Sequence, residues 1–295
     1  MRLRTFFLVV LALVIPLLAG SAYADGIIGT DLSTFAILGG AGVTIGGTGS
    51  SLTGSVGACC TAASVTGVIP TNFSISSGTV QMGGGVAASA QGQLSTAITA
   101  LSGMAPTGSV SSLGGLTLAP GVYSSSSTMN LTGTLILDGH GNANALWVFE
   151  VGSALTTASG STVKVINTGS GAGVYWVLPT GSGSATLGPN STFEGNILAN
   201  ISIAVDTNVT DPCGRFLTET ASVTLAGTDT IGIGCSGLLA ATNGLSGGGT
   251  LSTGPTGVPV ITPFIPASVP EPGTFALLLS ALLPIGLVTF RKLRA

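Results

Sequence analysis

The chain has 295 residues, of which only 6% are Asp, Glu, Lys or Arg, whereas charged residues make up about a quarter of an average soluble domain. Its 47 glycines and 14 prolines are fewer than a disordered low-complexity chain contains, and 45% of its residues are hydrophobic, enough to bury a core. A formal net charge of −3 argues against nucleic acid as a partner, because that function needs a basic surface.

The first 24 residues have the layout of a secretory signal. Arg2 and Arg4 precede an apolar run over 6–19, and Ala22 and Ala24 form a small-residue cleavage site. A first transmembrane helix is the alternative interpretation, but the run is too short for one. We therefore predict export across the inner membrane, with cleavage by signal peptidase after Ala24.

The body of the chain, residues 25–243, is predicted to be mainly β. Small and β-branched residues are abundant, and aromatics make up only 5% of the chain, which favours many short strands joined by tight turns. Irregularly spaced apolar runs between turn residues fit a stack of rungs, a β-solenoid, with a β-sandwich as the competing architecture. The runs lie at 116–118, 135–137, 146–151, 163–166, 174–178, 197–199, 201–205 and 223–225.

An amphipathic helix is predicted to interrupt this pattern over about 85–102. Apolar residues recur there at helical spacing, and Gly103 and Pro106 follow where the helix would end. A single helix in a β chain must lie along the side of the stack to bury its apolar stripe. The stripe consists of Val86, Ala90, Leu94, Ala97, Ile98 and Leu101.

The four cysteines are expected to form disulfides in the oxidising compartment that export implies. Adjacent cysteines do not bond to each other without local strain. We therefore expect Cys59 and Cys60 to pair with Cys213 and Cys235, or a local bridge between Cys213 and Cys235. Four cysteines allow three connectivities, and the sequence leaves the choice open.

The body holds too few titratable side chains to predict an enzyme. His140 is the chain's one histidine, and no second histidine or nucleophile motif stands near it, so we expect an exposed turn residue rather than a triad or a metal site. A β-helical polysaccharide lyase or hydrolase is the alternative, and it would need Asp206, Asp211, Arg215 and Asp229 to converge across rungs. We predict no enzymatic activity, no cofactor and no metal.

Two spacer-like segments follow the body. Residues 244–268 are rich in Gly and Ser and then in Pro, compositions typical of flexible and extended linkers, and we predict a linker there. Residues 269–295 combine Pro270-Glu271-Pro272, an apolar stretch over 275–290 and a basic end over 291–294. The stretch is short for a bilayer span and the basic end favours the cytoplasm, so the sequence predicts a transmembrane helix that anchors weakly.

The layout of residues 269–295 resembles the PEP-CTERM sorting signal of Gram-negative bacteria, with Pro270, Glu271 and Pro272 in the place of its signature. The resemblance implies an exosortase as a processing partner, which would cleave near this motif and leave the body at the cell surface or outside the cell. A permanent single-helix tail anchor is the alternative.

Long runs of the body resemble the bacterial and fungal ice-binding protein family. The resemblance spans about 30–235 and implies a right-handed, discontinuous β-solenoid of triangular section with one long α-helix packed alongside. It also implies a structural role for Arg215. The runs that carry it are FAILGG at 35–40, GGLTLAPGVY at 114–123, LTGTLILDG at 131–139, LTTASGS at 155–161, SATLG at 184–188, FEGNILA at 193–199, GR at 214–215 and ASVTL at 221–225.

Threonines often fall on the strand face opposite the core residues. On rungs about 4.8 Å apart they would form a flat ladder of methyl and hydroxyl groups, and in the family that the chain resembles such a ladder binds ice. Thr is also favoured on any exposed strand, which is the simpler explanation of single positions. The candidates for an ice-binding face are Thr117, Thr132, Thr134, Thr162, Thr186, Thr192 and Thr224.

The resemblance leads us to expect a secreted, non-enzymatic antifreeze-type protein whose partner is the ice crystal surface and which inhibits ice growth or recrystallisation. The alternative is a cell-surface or biofilm-matrix solenoid that uses the same fold as an adhesive module, with exopolysaccharide as its partner. An uncharged, contiguous Thr face favours the first hypothesis, whereas Lys164 or Glu194 on the flattest face favours the second.

Overall fold

A computed structural model describes residues 26–60, 64–67, 73–179, 181 and 183–264. The predicted signal peptide with Ala22 and Ala24, and the predicted sorting signal with Pro270, Glu271, Pro272 and its apolar helix, lie outside the described residues. Both therefore stay predictions. Among the described residues, no helix is long and apolar enough to cross a membrane.

The described residues form one α-helix, α1 (Val86–Ser102), two short 3₁₀ segments (Leu32–Thr34 and Gly237–Leu239) and many short strands. In chain order the strands are β1 (Phe35–Gly39), β2 (Gly42–Ile45), β3 (Ser50–Thr53), β4 (Ser55–Cys59), β5 (Ser64–Thr66), β6 (Phe73–Ser77), β7 (Val80–Gly83), β8 (Gly108–Ser109), β9 (Thr117–Leu118), β10 (Gly121–Ser125), β11 (Met129–Leu131), β12 (Thr134–Asp138), β13 (Leu146–Val151), β14 (Ala154–Thr157), β15 (Thr162–Ile166), β16 (Gly173–Leu178), β17 (Ser184–Leu187), β18 (Gly195–Ala199), β19 (Ile203–Val205), β20 (Thr210–Asp211), β21 (Gly214–Thr218), β22 (Ser222–Leu225), β23 (Thr230–Gly232), β24 (Gly249–Thr253) and β25 (Pro259–Pro263).

Three parallel sheets surround one core. Sheet I has the order β7-β4-β1-β21-β18-β16-β13-β10-β8, and sheet II has the order β11-β14-β17-β19-β22-β2-β5. Sheet III consists of two pieces, β15-β12-β9 and β20-β23-β3-β6, linked only by single bridges of Thr192 to Thr162 and to Thr210. Each turn of the chain visits sheets I, II and III in that order. This parallel, three-sided stack confirms the predicted β-solenoid over a β-sandwich, whose sheets would be antiparallel.

The rungs do not stack in the order of the sequence. The strands β1 to β7 build one end of the stack, the chain then runs along sheet I through α1, and β8 begins the other end. Later rungs wind back until β21 pairs with β1, with Phe216 opposite Ile37. A helix of 17 residues is about 25 Å long, so α1 covers much of the return path and makes the solenoid discontinuous.

Along its central strands, sheet I is buried on both of its faces. Its inner face contributes Phe149 and Trp176, whose rings stack with centroids 3.9 Å apart, to the core inside the solenoid. Its outer face packs against α1 and the N-terminal segment. Burial on both sides explains why β13 and β16 are nearly continuous apolar runs rather than alternating ones.

The helix lies where the periodicity predicts it. Five of the six residues of the predicted stripe are buried, and the sixth, Val86, is 42% exposed in the first turn. The polar residue Gln91 also anchors the helix, because its Nε2 donates to the carbonyl oxygens of Thr218 and Glu219 at 2.9 and 2.8 Å. Helix packing therefore combines an apolar stripe with hydrogen bonds to the ends of sheet I.

The prediction of a linker over 244–268 was wrong for 244–264. The strands β24 and β25 form an antiparallel hairpin, and Leu245 and Ile261 are buried. The glycines serve close packing rather than flexibility: a Cβ on Gly247 would collide with the carbonyl oxygen of Gly171, and Gly248 has a φ of +87°. The folded domain therefore extends past residue 243 to Phe264.

The expectation that adjacent cysteines avoid each other was also wrong. Cys59 is bonded to Cys60, whereas the local bridge expected between Cys213 and Cys235 is confirmed. Cys59 ends a strand of sheet I, whereas Cys213 directly precedes the start of another strand of that sheet. Because the strands are parallel, the two pairs lie at opposite ends of the strands, which leaves each cysteine only the partner nearest to it.

Candidate functional site

The titratable residues that the structure describes do not form an open reactive centre. Asp211, Arg215 and Asp229 are completely buried, so they are not available to a polysaccharide chain. His140 is exposed in a turn, with its Nδ1 3.8 Å from a carboxylate oxygen of Asp138. Within the described ranges, no group of three or more His, Cys, Asp or Glu residues is placed to hold a metal ion.

Arg215 acts as an internal clamp. Its Nη1 donates to Asn196 Oδ1 at 2.8 Å and to the Gly244 carbonyl at 3.1 Å. Its Nη2 donates to the carbonyls of Ser33 and Asn243, both at 2.9 Å. Burial lowers the pKa of the guanidinium to about 10, which leaves it charged at neutral pH. These contacts support the structural role that the family resemblance implies for this residue.

The outer surface of sheet II carries an unbroken ladder of small polar residues. The strand register places one outward residue of each of its seven strands in a single column, and every member is exposed. Adjacent strands are about 4.8 Å apart, and at one end Thr66 Oγ1 donates to Thr44 Oγ1 at 3.3 Å. The column, termed the sheet II ladder, is Asn130, Thr156, Thr186, Ala204, Thr224, Thr44 and Thr66.

The columns on both sides of the sheet II ladder consist almost entirely of small residues, so the surface is flat. One is Ala154, Ser184, Ser202, Ser222, Gly42 and Ser64. The other is Thr132, Ala158, Gly188, Asp206, Ala226 and Gly46. Asp206 is the one ionisable side chain among these named positions. The face is therefore close to uncharged.

Sheet III carries a second column, but its surface is interrupted and charged. The column is Thr134, Thr162, Thr192, Thr210, Thr230, Ser51 and Ser74. The sheet narrows at Thr192 to a single paired residue in that rung, and Lys164 is exposed in the neighbouring column with Thr117 and Ile136. Glu194 lies nearby, half-buried, and its Oε2 accepts from the Val165 amide at 2.6 Å. Burial raises the pKa of Glu194.

The seven threonines predicted from the sequence are thus divided between two faces. Thr186 and Thr224 belong to the sheet II ladder, and Thr132 flanks it at the corner. The other four, Thr117, Thr134, Thr162 and Thr192, lie on sheet III. Sequence reasoning missed Thr44, Thr66, Thr156 and Asn130 of the ladder and Thr210 and Thr230 of sheet III. A signal was present, because the triplet of apolar residue, Thr, apolar residue recurs at 43–45, 185–187 and 223–225.

The corner between sheets II and III is held by internal hydrogen bonds. Asn208 Nδ2 donates to Asn190 Oδ1 of the adjacent rung at 2.8 Å. Asp229 accepts from the amides of Val209 at 2.9 Å and Gly227 at 3.1 Å, and burial raises its pKa to about 6. These contacts join neighbouring rungs, so the exposed residues on both sides of the corner are held in fixed register.

Comparison with known proteins identifies a consistent set of relatives. The sequence model of a family described as Ice-binding-like matches residues 37–231. The "Ice-binding protein" of Nostoc sp. (strain HG1) is 44% identical over 195 residues, which cover 65% of this chain and 69% of that protein. "Ice-binding protein 1" of Shewanella frigidimarina (strain NCIMB 400) is 37% identical over 117 residues, 38% of this chain and 12% of that protein.

A solved structure supports the same relationship. The crystal structure of the ice-binding protein from the Antarctic ascomycete Antarctomyces psychrotrophicus is similar with a TM-score of 0.63 and 30% sequence identity. The match covers 72% of this chain and all of that one.

Proposed function

This chain belongs to the ice-binding-like family, and from that premise we propose that it binds ice through the outer face of sheet II. In this proposal the protein adsorbs to the crystal surface and inhibits ice growth or recrystallisation. It acts as a non-enzymatic surface binder that needs no cofactor.

The observation that carries the proposal is the continuity of the sheet II ladder. Seven strands in unbroken register present exposed Thr, Ala and Asn side chains, flanked by small residues. A crystal surface is itself a flat, regular array of donors and acceptors, and a rigid array opposite it loses little conformational entropy on binding. Methyl groups and hydroxyls at fixed spacing suit contact through ordered water.

Sheet III supports ice binding less well than sheet II. Its ladder depends on single bridges at Thr192, and the exposed Lys164 ammonium would lose hydration against a crystal face. Lys164 and Glu194 are absent from the flattest face, so the observation that would favour an adhesive, polysaccharide-binding solenoid is not met. Ice binding is therefore the function that the geometry and the relatives support together.

The proposal is tested by placing one bulky ring on each face. We expect Thr186→Tyr and Thr224→Tyr each to remove most of the thermal hysteresis, because a ring in the centre of a flat contact separates the two surfaces. The matched variant Thr230→Tyr, on sheet III, should keep the activity of the unmodified protein. Circular dichroism checks that all three variants remain folded.

Two results would contradict the proposal. The first is loss of activity in Thr230→Tyr with full activity in Thr186→Tyr and Thr224→Tyr, which would move the site to sheet III. The second is the absence of thermal hysteresis and of recrystallisation inhibition in the folded, unmodified protein.

Export completes the proposed function. The layout of residues 1–24 supports cleavage by signal peptidase, and the layout of 269–295 supports processing by an exosortase at the surface of a Gram-negative cell. The intact mass of the protein recovered from such a cell tests both steps. A product that begins after Ala24 and ends near Pro270-Glu271-Pro272 is expected, and an unprocessed chain would contradict it.

A further inference from the structure

The strand β7 ends sheet I with its core-facing side chains exposed. Its register places Val80 beside Val56 and Met82 beside Ala58, and Val56, a member of the core inside the solenoid, is completely buried, as is Ala58. Val80 is nevertheless 37% exposed and Met82 59% exposed, because no strand of the described residues pairs with the other edge of β7. The apolar core is therefore open to water at this strand.

The free edge of β7 also presents backbone groups that can pair with a further strand. The Val56 amide donates to the Thr79 carbonyl at 3.0 Å. Successive residues of a parallel ladder alternate in the side to which their N–H and C=O groups point. Those of Gln81 therefore point to β4, and those of Val80 and Met82 point away from it. An edge with such free groups is a template for strand addition.

No charge protects this edge from a second copy of the chain. Residues 32–137 include no Asp, Glu, Lys, Arg or His, so β7, its neighbour β4 and the helix α1 are all uncharged. Proline is also absent from β7. Edge strands of natural sheets are commonly blocked by charged side chains or by proline, and the ends of solenoids by polar caps. Two copies can thus approach at β7 without electrostatic repulsion.

The turn between β7 and α1 leaves room for a close approach. Gly83 and Gly85 have φ values of +80° and +69°, which account for glycine at those two positions. The φ of Gly84 is not in that region, and a Cβ on it would meet no atom within 4 Å. The folded chain alone therefore gives no reason for glycine at 84, whereas contact with the backbone of a second copy would provide one.

The opposite end of the stack is closed, so the two ends do not match each other. The edge strand of sheet I there is β8, and among the described residues of that end no large apolar side chain is exposed. Leu113 of the terminal rung is completely buried. An open chain of copies would need two complementary ends, whereas a symmetric pair uses the same surface twice. The open end at β7 therefore fits a symmetric pair.

We propose that two copies of this chain associate through β7, in antiparallel pairing centred on Gln81. The two-fold axis then places the two Gln81 residues opposite each other and Val80 of each copy opposite Met82 of the other. These apolar pairs cover the open end of each core. The contact goes beyond ice binding and does not depend on it, because β7 belongs to sheet I. A contact of one short strand is small, so the dimer should dissociate on dilution.

The pairing is tested directly by covalent trapping of the full chain. The described cysteines are all in disulfides, so Gln81→Cys provides one free thiol. Directly opposite residues of an antiparallel pair are close enough for a disulfide, and we expect Gln81→Cys to form a covalent dimer on mild oxidation. Thr230→Cys, exposed on sheet III, is the matched control and should stay a monomer on a non-reducing gel.

Sedimentation velocity of the full chain tests the same contact without a new bond. The share of dimer in the unmodified protein should rise with concentration, and Met82→Lys should remove the dimer because it places a charge in the apolar contact. Val260→Lys, which changes an equally accessible apolar residue on β25, should leave the dimer unchanged. Circular dichroism checks that both variants are folded.

Two results would overturn the proposal. One is a monomer at every concentration together with Gln81→Cys that is trapped no more than Thr230→Cys. The other is a dimer that persists in folded Met82→Lys, which would assign association to another surface. If Met82→Lys does not fold, the trapping of Gln81→Cys against Thr230→Cys decides the outcome.

Discussion

At the scale of single residues, the few charged side chains buried in the solenoid form hydrogen bonds that join separate segments of the backbone. Arg215 supplies hydrogen bonds to carbonyls from two distant segments, at Ser33 and at Asn243 and Gly244. Asp229 accepts hydrogen bonds from backbone amides of two neighbouring rungs. An interior polar group of this kind is costly to leave without partners, so each should be sensitive to substitution.

Replacing the Arg215 clamp should destabilise the fold strongly. Arg215→Met removes a buried cation and leaves three backbone carbonyl oxygens and Asn196 Oδ1 without their donor, so we expect the free energy of unfolding to fall by about 3–5 kcal/mol. The exposed Lys164→Met should change it by no more than about 0.5 kcal/mol. Chemical denaturation of both variants measures the difference, and equal midpoints would contradict the structural role of Arg215.

Asp229 should make stability depend on pH. Its pKa rises from an ordinary value of 3.8 to about 6 in the folded state, so the folded protein binds this proton more tightly than the unfolded chain. The contribution is complete below about pH 4 and is lost as pH rises through 6, a change of about 2–3 kcal/mol. Burial raises the pKa of Glu150, to about 7, and that of Asp211 in the same direction.

Thermal melts between pH 4 and pH 7 test this prediction. The unmodified protein should melt at a lower temperature at pH 7 than at pH 4, and Asp229→Asn should reduce that difference. Asp31→Asn, which removes a carboxylate elsewhere on the surface, serves as the matched control. A melting temperature that rises from pH 4 to pH 7, or an Asp229→Asn variant with the full original difference, would disprove the assignment.

At the scale of elements, α1 and the β24–β25 hairpin finish the solenoid by covering sheet I. The helix could be predicted from the 3.6-residue spacing of its apolar stripe, because an amphipathic helix shows this period in its sequence. The hairpin could not be predicted, because a segment rich in glycine and proline has the composition of a linker. Gly247 and Gly248 are needed for close contacts with Gly171 and Leu146, which are distant in sequence.

The contribution of the hairpin to stability is tested with two adjacent positions on β25. Ile261 is buried and Thr262 is exposed. Ile261→Asp should lower the free energy of unfolding by about 3 kcal/mol or more, because it buries an unpaired charge in place of an apolar side chain. Thr262→Asp should have little effect. If neither variant changed the free energy of unfolding, the segment would be a linker, as its composition suggests.

At the scale of the whole molecule, sequence patterns predicted the solenoid body and its helix. They did not show which of the candidate threonines share one face. Alternation along a strand shows that Thr224 points away from the core, yet it does not show which of three sheets the strand joins. That assignment comes from register between rungs, such as Thr224 opposite Thr44 across 180 positions of sequence. Long-range pairing of this kind leaves no local signature, so Thr162 and Thr186 looked equivalent until the sheets were known.

Ice binding by the sheet II face is tested most directly by partition into ice. The fluorescently labelled, unmodified chain is frozen slowly from solution beside a labelled protein of similar size that has no ice affinity. We predict that this chain is enriched in the ice while the reference protein is rejected into the remaining liquid. Rejection of both proteins, with circular dichroism showing this chain folded, would contradict ice binding.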